Sequence, residues 1–308
     1  MTAPTTQALL APFAFSVQPL KGVRVLSLAL NLPGPAALMR CVAMGAKCSK
    51  IEPPAGDPMG HYNKPAYAQL TAGVKVITAD LKTEAGQKRI HKELARTDVL
   101  LTSFRPSAMT KLRLAWKTLH KQYPKLSQVA IVGSPGAGAE IPGHDLTYLA
   151  ESGLVNGLDL PATLFADMGG SLMASEAVLQ ATLARHSKGK GVYLEVGLSE
   201  AARYLALPRS WGLTLPSGSV GGAHAGYRVY PCKDGRVAVA ALEPHFAAGL
   251  CAAAGVKSSD IKSMLSPATH KAVAAFFAGQ TRKQLDALAK AHDLPIHTLS
   301  AQLAQAGR

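Results

Sequence analysis

The stretch Gly22–Pro54, GVRVLSLALNLPGPAALMRCVAMGAKCSKIEPP, decides the fold. Gly22 to Leu28 is apolar and carries β-branched residues, the pattern of a buried strand. A turn with Asn31, Pro33, Gly34 and Pro35 follows, and the run from Pro35 to Ala46 reads as a helix. Lys47 to Ile51 then returns as a short strand ahead of a Pro/Gly loop, PPAGDPMG. Further along, strands are expected at Val74–Thr78, Asp98–Thr102, Ser127–Val132 and Val192–Val196. Thr83 opens a helix to Arg96 with Glu84 in its first turn, and Met168–His186 is the longest amphipathic candidate. Strands alternating with helices predict an open, Rossmann-like α/β sheet with its ligand site outside the carboxyl ends of the strands. That places function in the loops Asn31–Pro35, Ser103–Pro106 and Gly133–Gly143. None carries GxGxxG or GxxxxGK[ST], and GSPGAG at Gly133–Gly138 has the wrong glycine spacing, which counts against a dinucleotide or nucleoside triphosphate fold.

At 308 residues, 48% hydrophobic and 17% charged, the chain has material for a large core, and two domains are expected. The first is expected over 1–206 and is the larger α/β domain. Residues 207–225, rich in Pro, Ser and Gly, read as a linker, and 226–308 as a smaller α+β domain. In that domain Tyr227–Tyr230 and Arg236–Ala240 flank an Asp-Gly corner, a hairpin signal, and helical segments are expected from there to the end. The first twenty residues lack a basic start before an apolar run, no run has the length of a spanning helix, and Cys41, Cys48, Cys232 and Cys251 lack metal or scaffold spacing. A cytoplasmic protein with no membrane partner is the expectation.

Thirty-three Lys and Arg against nineteen Asp and Glu leave a net charge of +14, which calls for an anionic partner. Between Lys82 and Lys125 eleven basic residues face three acidic ones, an excess of eight. Aromatics are not interleaved there as base-stacking platforms, so no nucleic-acid partner is expected, and solvated helix faces account for most of these residues taken singly.

Three segments place ionisable groups in loop-like settings. His144 in GHDLTY is either a general base near neutral pH or a surface capping residue. Asp167 in ADMGG is a helix cap or a carboxylate aimed into a cleft, where Gly169 and Gly170 allow close approach. Glu243 in LEPHF is a helix-start carboxylate or a site residue. GxSxG and HExxH are both missing, so neither an α/β-hydrolase nor a zinc protease reading has support.

The order LKGVRVLSLALNLPGP, AMGAKCSKIEPP, VITADLKTEAG, DVLLTSFRPSAMTKLRL, GHDLTYLAESGLV, ADMGG, SKGKG and VAVAALEPHF resembles the family III CoA-transferases (CaiB/BaiF superfamily), and within them the α-methylacyl-CoA racemases. GHDxxY and EPxF are the motifs that resemble the racemase branch. The resemblance implies an acyl-CoA racemase that epimerises C2 of a 2-methyl-branched acyl-CoA by 1,1-proton transfer. His144 and Asp167 would serve the two faces of the carbon, and Glu243 would orient the imidazole. Backbone donors near Gly169 and Gly170 would meet the thioester oxygen. It further implies a closely associated or intertwined homodimer and no cofactor beyond the CoA of the substrate. Arg105 would contact a CoA phosphate, Ala79 would lie along the adenine and Lys75 near the nucleotide. Pro53 stands where relatives commonly have Arg, so Lys50 is the expected substitute; Thr163 stands where the usual PxNL has Asn; and the chain ends at Arg308 where family chains continue. The acyl pocket is expected from Leu30, Leu32, Leu149 and Leu164. The alternatives are a CoA-transferase with Asp167 as nucleophile and a CoA-binding protein with little or no turnover.

Overall fold

A computed structural model describes residues 16–301; the first fifteen residues and the last seven lie outside it. The chain divides into two compact units, Met1–Ala206 and Leu207–Arg308.

In the first unit the elements run β1 (Arg24–Ser27), α1 (Pro33–Ala43), β2 (Lys47–Glu52), α2 (Pro58–Tyr62), α3 (Lys64–Leu70), β3 (Lys75–Thr78), α4 (Glu84–Leu94), β4 (Val99–Thr102), α5 (Pro106–Lys111), α6 (Trp116–Gln122), β5 (Ser127–Val132), α7 (Asp145–Glu151), α8 (Phe165–Lys188), β6 (Tyr193–Gly197) and α9 (Leu198–Leu205). The six strands form one parallel sheet in the order β3-β2-β1-β4-β5-β6. This is the doubly wound order of dinucleotide-binding folds, reached without their glycine fingerprint. The missing motif therefore did not argue against the topology.

Strand alternation divides the interior into two layers. Val25, Val99, Leu101, Val129 and Ile131 face α1 and α8, which supply Leu38, Cys41, Ala174, Val178 and Ala181. Leu26, Leu28, Leu100 and Ile51 face the other way, against Ile90 and Leu94 of α4, Met109 of α5 and Leu119 of α6. Near-continuous apolar strands are what a sheet covered on both faces requires. The α4 start is as expected: Thr83 Oγ1 accepts the Gly86 N–H at 3.1 Å.

Gly34 carries a steric constraint. A Cβ built there would lie 2.1 Å from the Ala29 Cβ, so α1 approaches the end of β1 only because position 34 has no side chain. Gly34→Ala is expected to lower unfolding free energy by about 2 kcal/mol or more, as overpacking does; equilibrium urea denaturation measures it, and an unchanged midpoint would contradict the packing account.

In the second unit α10 (Leu207–Ser210) is followed by β7 (Tyr227–Cys232), β8 (Gly235–Ala240), α11 (Pro244–Ala253), α12 (Ile261–Met264), α13 (Pro267–Ala278), α14 (Arg282–His292) and β9 (Ile296–Ser300). The segment read as a linker holds α10 and a short 3-10 turn at Ser219–Gly221, and belongs to this unit. The hairpin forms, with Cys232 opposite Gly235, so that Lys233 and Asp234 make the turn. Helices do not run to the end: β9 pairs antiparallel with β8, placing His297 opposite Ala238. Five residues after a proline carry too little periodicity to reveal a strand whose partner lies more than fifty positions back. Val237, Val239, Leu250, Val273, Phe277 and Leu285 form the core of this unit.

Candidate active site

The three loops selected from the sequence converge. A cleft of ≈ 200 Å³ at the carboxyl edge of the sheet is lined by Leu30, Asn31 and Pro33 after β1, by Ser103, Phe104 and Arg105 after β4, and by Gly133, Ala139, Ile141 and Gly143 after β5. It lies where the strand order reverses between β1 and β4, the switch point of an open sheet. His144, Tyr148, Asp167 and Leu198 complete its wall.

His144 is the N-cap of α7 and is exposed. Its backbone is fixed from both sides: the N–H donates to Thr147 Oγ1 at 3.1 Å, and the Thr147 hydroxyl donates to its carbonyl at 2.7 Å. Capping therefore involves the main chain of His144, and its ring remains on the wall of the cleft. Asp167 sits in the first turn of α8, mostly buried. Its carboxyl is pushed up to about 6 by burial first and by the neighbouring Asp145 charge second, with His144 pulling the other way. A carboxyl titrating there exchanges protons readily near neutral pH.

Asp145 and Tyr148 are functional candidates that the sequence reading passed over, although both stand in GHDLTY. The buried Asp145 carboxylate accepts the Asp167 N–H at 2.9 Å, tying the start of α8 to α7. A Cβ on Gly133 or Gly143 would come within 2.2 or 2.4 Å of the Tyr148 hydroxyl oxygen, so both glycines make room for that ring. Burial, then Glu151 and Asp167, push its phenol up.

Other expectations require correction. The helix bearing Asp167 starts at Phe165, three residues before the expected Met168, so Gly169 and Gly170 lie inside it and the Met168 N–H already bonds to the Leu164 carbonyl. Their backbone is not a free donor pair. Their small size instead lets α9 approach: a Cβ on Gly170 would be 2.3 Å from Leu198 Cδ2. Of the four leucines expected in an acyl pocket, only Leu30 lines the cleft; Leu32 packs beside Met39 and Met59, Leu149 is wholly buried, and Leu164 is the exposed N-cap of α8.

The phosphate candidates separate. Arg105, exposed at the start of α5, lies on the cleft. Ala79 follows β3 at the same edge, its N–H bonded to the Glu52 carbonyl at 2.9 Å. Lys75 is the first residue of β3 and stands at the opposite, amino edge of the sheet. Lys50 is not a surface substitute for a missing arginine: its side chain is 1% exposed and its ammonium is held by Glu52, at 2.9 Å, and by Asp57. Alternation along β2 turned it inward, which a six-residue strand with four polar or charged positions does not announce. Cations that were not singled out gather elsewhere at the carboxyl edge. A second hollow, ≈ 740 Å³, follows the ends of β3 and β4 and is lined by Lys82, Lys111 and Arg113 together with Leu81, Gln87 and Ala108. Phe104 lines both this hollow and the cleft.

Glu243 is the exposed N-cap of α11 in the second unit, with extended backbone and no side-chain cap bond, so capping by its carboxylate does not account for it. Among the described residues no cluster of three metal-ligating side chains occurs and no helix is long and apolar enough to cross a membrane. The four cysteines are free thiols; burial pushes Cys41 up to about 12, which leaves it unreactive.

The class is defined by a parallel sheet whose carboxyl edge carries a cleft lined by His144 and Asp167 beside a hollow lined by Lys82, Lys111 and Arg113. The profile of CoA-transferase family III matches residues 20–305, and the chain belongs to that family. It is 30% identical over 287 residues to α-methylacyl-CoA racemase of Homo sapiens, covering 86% of this chain and 73% of the relative. Cinnamoyl-CoA:phenyllactate CoA-transferase of Clostridium sporogenes is 32% identical over 205 residues, 59% of this chain and 50% of the relative. The crystal structure of a CaiB/BaiF family protein from Brucella suis superposes with a TM-score of 0.77 at 23% identity, covering 93% of this chain and 85% of that one, and shares the fold.

Proposed function

We propose that the protein binds an acyl-CoA thioester and epimerises C2 of a 2-methyl-branched acyl group by 1,1-proton transfer. The observation that carries this reading is the presence of two proton carriers of different type, His144 and Asp167, on the wall of one cleft. A carbon acid beside a thioester needs a base on one face and an acid on the other, each near its pKa at working pH, and the raised Asp167 suits that task. His144 removes the proton from one epimer and Asp167 from the other, each returning a proton as acid. Asp145 holds Asp167 in place through its backbone N–H.

The nucleotide end belongs with the cations. Lys82, Lys111 and Arg113 offer charge for the CoA phosphates in the second hollow, and the pantetheine would pass Phe104 and Arg105 to bring the thioester into the cleft. Replacing Lys82 and Lys111 together by Gln is expected to raise the KM for acyl-CoA roughly tenfold or more with a smaller change in kcat, since such contacts are equal in ground and transition states. Steady-state kinetics at two salt concentrations measures this; an unchanged KM would remove the hollow from the substrate path.

A homodimer is part of this reading. Phe165, Met168, Leu172 and Leu183 leave apolar surface exposed along α8, a face suited to a second copy. In that assembly Glu243 of one copy orients the His144 imidazole of the other. The compartment proposed is the cytoplasm, and no group beyond the CoA of the substrate is invoked.

A second reading is favoured by the transferase relative at 32% identity. Asp167 would attack the thioester carbonyl, forming a mixed anhydride and expelling the CoA thiolate; the thiolate would then attack the Asp167 carbonyl and release the donor acid. An acceptor acid would displace the thiolate from that aspartyl thioester to give a second anhydride, and the returning thiolate would form the acceptor's acyl-CoA and free Asp167. Incubation with a 2-methylacyl-CoA in deuterated water separates the two. Deuterium at C2 without acyl exchange onto a second acid supports epimerisation; acyl exchange without deuterium overturns it, and CoA binding with neither reaction leaves a binding protein.

A further inference from the structure

The amino edge of the same sheet carries a second cationic site. A hollow of ≈ 570 Å³ is lined by Arg24 at the start of β1, Lys47, Cys48 and Ser49 at the start of β2, Gly73 and Lys75 before and at the start of β3, and Glu93, Arg96 and Thr97 at the end of α4. It lies across the sheet from the acid/base cleft, separated by strands whose four to six residues span roughly 13–20 Å at 3.3 Å per residue.

Its charge is not cancelled internally. Asp98 is shared by two guanidiniums, Arg185 at 2.6 Å and Arg24 at 3.5 Å. Glu93, nearly buried, is likewise shared by Arg96 and by Arg89 at 3.3 Å. Each carboxylate thus leaves one positive charge over. Lys47 and Lys75 are exposed, and among the described residues no ion pair involves either. Four cations, Arg24, Lys47, Lys75 and Arg96, line the concavity against one carboxylate, Glu93, an excess of three. Like charges gathered at that density repel unless an anion is drawn in.

We propose that this hollow binds a compact anion bearing several phosphate groups, separately from the acyl-CoA site. The two free ammoniums act as point charges on phosphate oxygens, while the half-engaged guanidiniums of Arg24 and Arg96 supply forked donors. Concavity favours a small ligand over an extended nucleic acid or a bilayer, which need a broad face. This gives Lys75 a role at the edge where the fold places it, and it explains part of the basic excess that lies outside Lys82–Lys125.

Isothermal titration of the full chain with inorganic triphosphate tests the proposal. One saturable, salt-sensitive site is expected, weakened about tenfold by the Lys47→Gln/Lys75→Gln pair, unaffected by Arg105→Gln and undisturbed by saturating CoA. Both lysines are exposed, and circular dichroism with a thermal melt confirms that the double variant folds. Displacement by CoA, or loss of binding in the Lys82→Gln/Lys111→Gln pair with none in the Lys47→Gln/Lys75→Gln pair, would assign the anion to the carboxyl edge and overturn the proposal. Saturation by anionic phospholipid vesicles or RNA without any response to triphosphate would overturn it equally, as would no binding at all.

Discussion

Replacing Asp167 by Asn is expected to abolish epimerisation, lowering the rate by about 10²–10⁴-fold, the usual contribution of a positioned acid/base. The loss should be one-sided in isotope exchange. With His144 intact, deuterium still enters C2 of the epimer whose proton faces the imidazole, but inversion stops because no group remains to serve the opposite face. His144→Gln gives the mirror result. Chiral separation of the acyl-CoA combined with mass measurement of C2 deuterium reads both outcomes. Loss of exchange from both epimers in either single variant would contradict the two-carrier scheme.

The same substitution has a stability signature. Asp167 titrates at about 6 in the folded chain against 3.8 for an ordinary aspartate, through burial first and Asp145 second. The native state therefore holds its proton more tightly than the unfolded chain does. Stability is greatest below pH 3.8 as far as this group is concerned, falls as pH rises through the interval up to 6, and stays lowered above it. Asp167→Asn removes that cost and is expected to stabilise the protein by about 2 kcal/mol at neutral pH, with no gain near pH 4. Denaturant titrations at the two pH values check the difference. Asp98 works with the opposite sign. Burial pushes it up, yet hydrogen bonds from Arg185 and Arg24 outweigh burial and hold it below the usual value, so its contribution is present at neutral pH and is lost as pH falls through its folded pKa.

Lys50→Met is expected to produce the largest loss of stability, about 3–5 kcal/mol, because it strips the cation from a buried cluster and strands two carboxylates. Glu52 and Asp57 both contact the Lys50 ammonium, and Tyr67 donates its hydroxyl to Glu52 at 3.1 Å. The Tyr67 phenol is pushed up to about 12 by burial, then by the Glu52 charge and hydrogen bond. Damage reaches the cleft through Asp57, whose Oδ1 accepts the backbone N–H of Asn31 at 3.1 Å and of Met59 at 2.9 Å. Asn31 adopts a left-handed backbone, φ 64°, on the lip of the cleft, so loosening its anchor should raise KM as well. Lys75→Met, on the exposed start of β3, is the control and should stay within about 0.5 kcal/mol of the parent. A Lys50→Met protein as stable as the parent would show that the cluster relaxes by proton uptake or water entry.

The sheet was legible because its strands, β2 apart, are short and largely apolar runs set between helices, and burial on both faces leaves little room for polar residues. The three loops around the cleft followed from one rule about carboxyl ends. Ser127–Val132 needed no adjustment, and β1 lost only its fraying ends. Less legible was anything that depended on which way a side chain turned. Lys50 and Lys75 looked alike as basic residues near a phosphate-binding region. Alternation sent one into a carboxylate pair, and its place at the start of β3 put the other on the far edge.

By itself, the sequence determined the strand and helix alternation, the carboxyl-edge loops and the residue types His144, Asp167 and Arg105 that meet there, because hydrophobic period and loop chemistry are local properties. Tertiary structure alone decided that Asp145 holds and raises Asp167, that Tyr148 fits against Gly133 and Gly143, and that Lys82 and Lys111 share a hollow. Those relations join residues brought together by sheet order and helix packing. The field a carboxyl feels is set by neighbours within a few ångströms in space, whatever their distance along the chain.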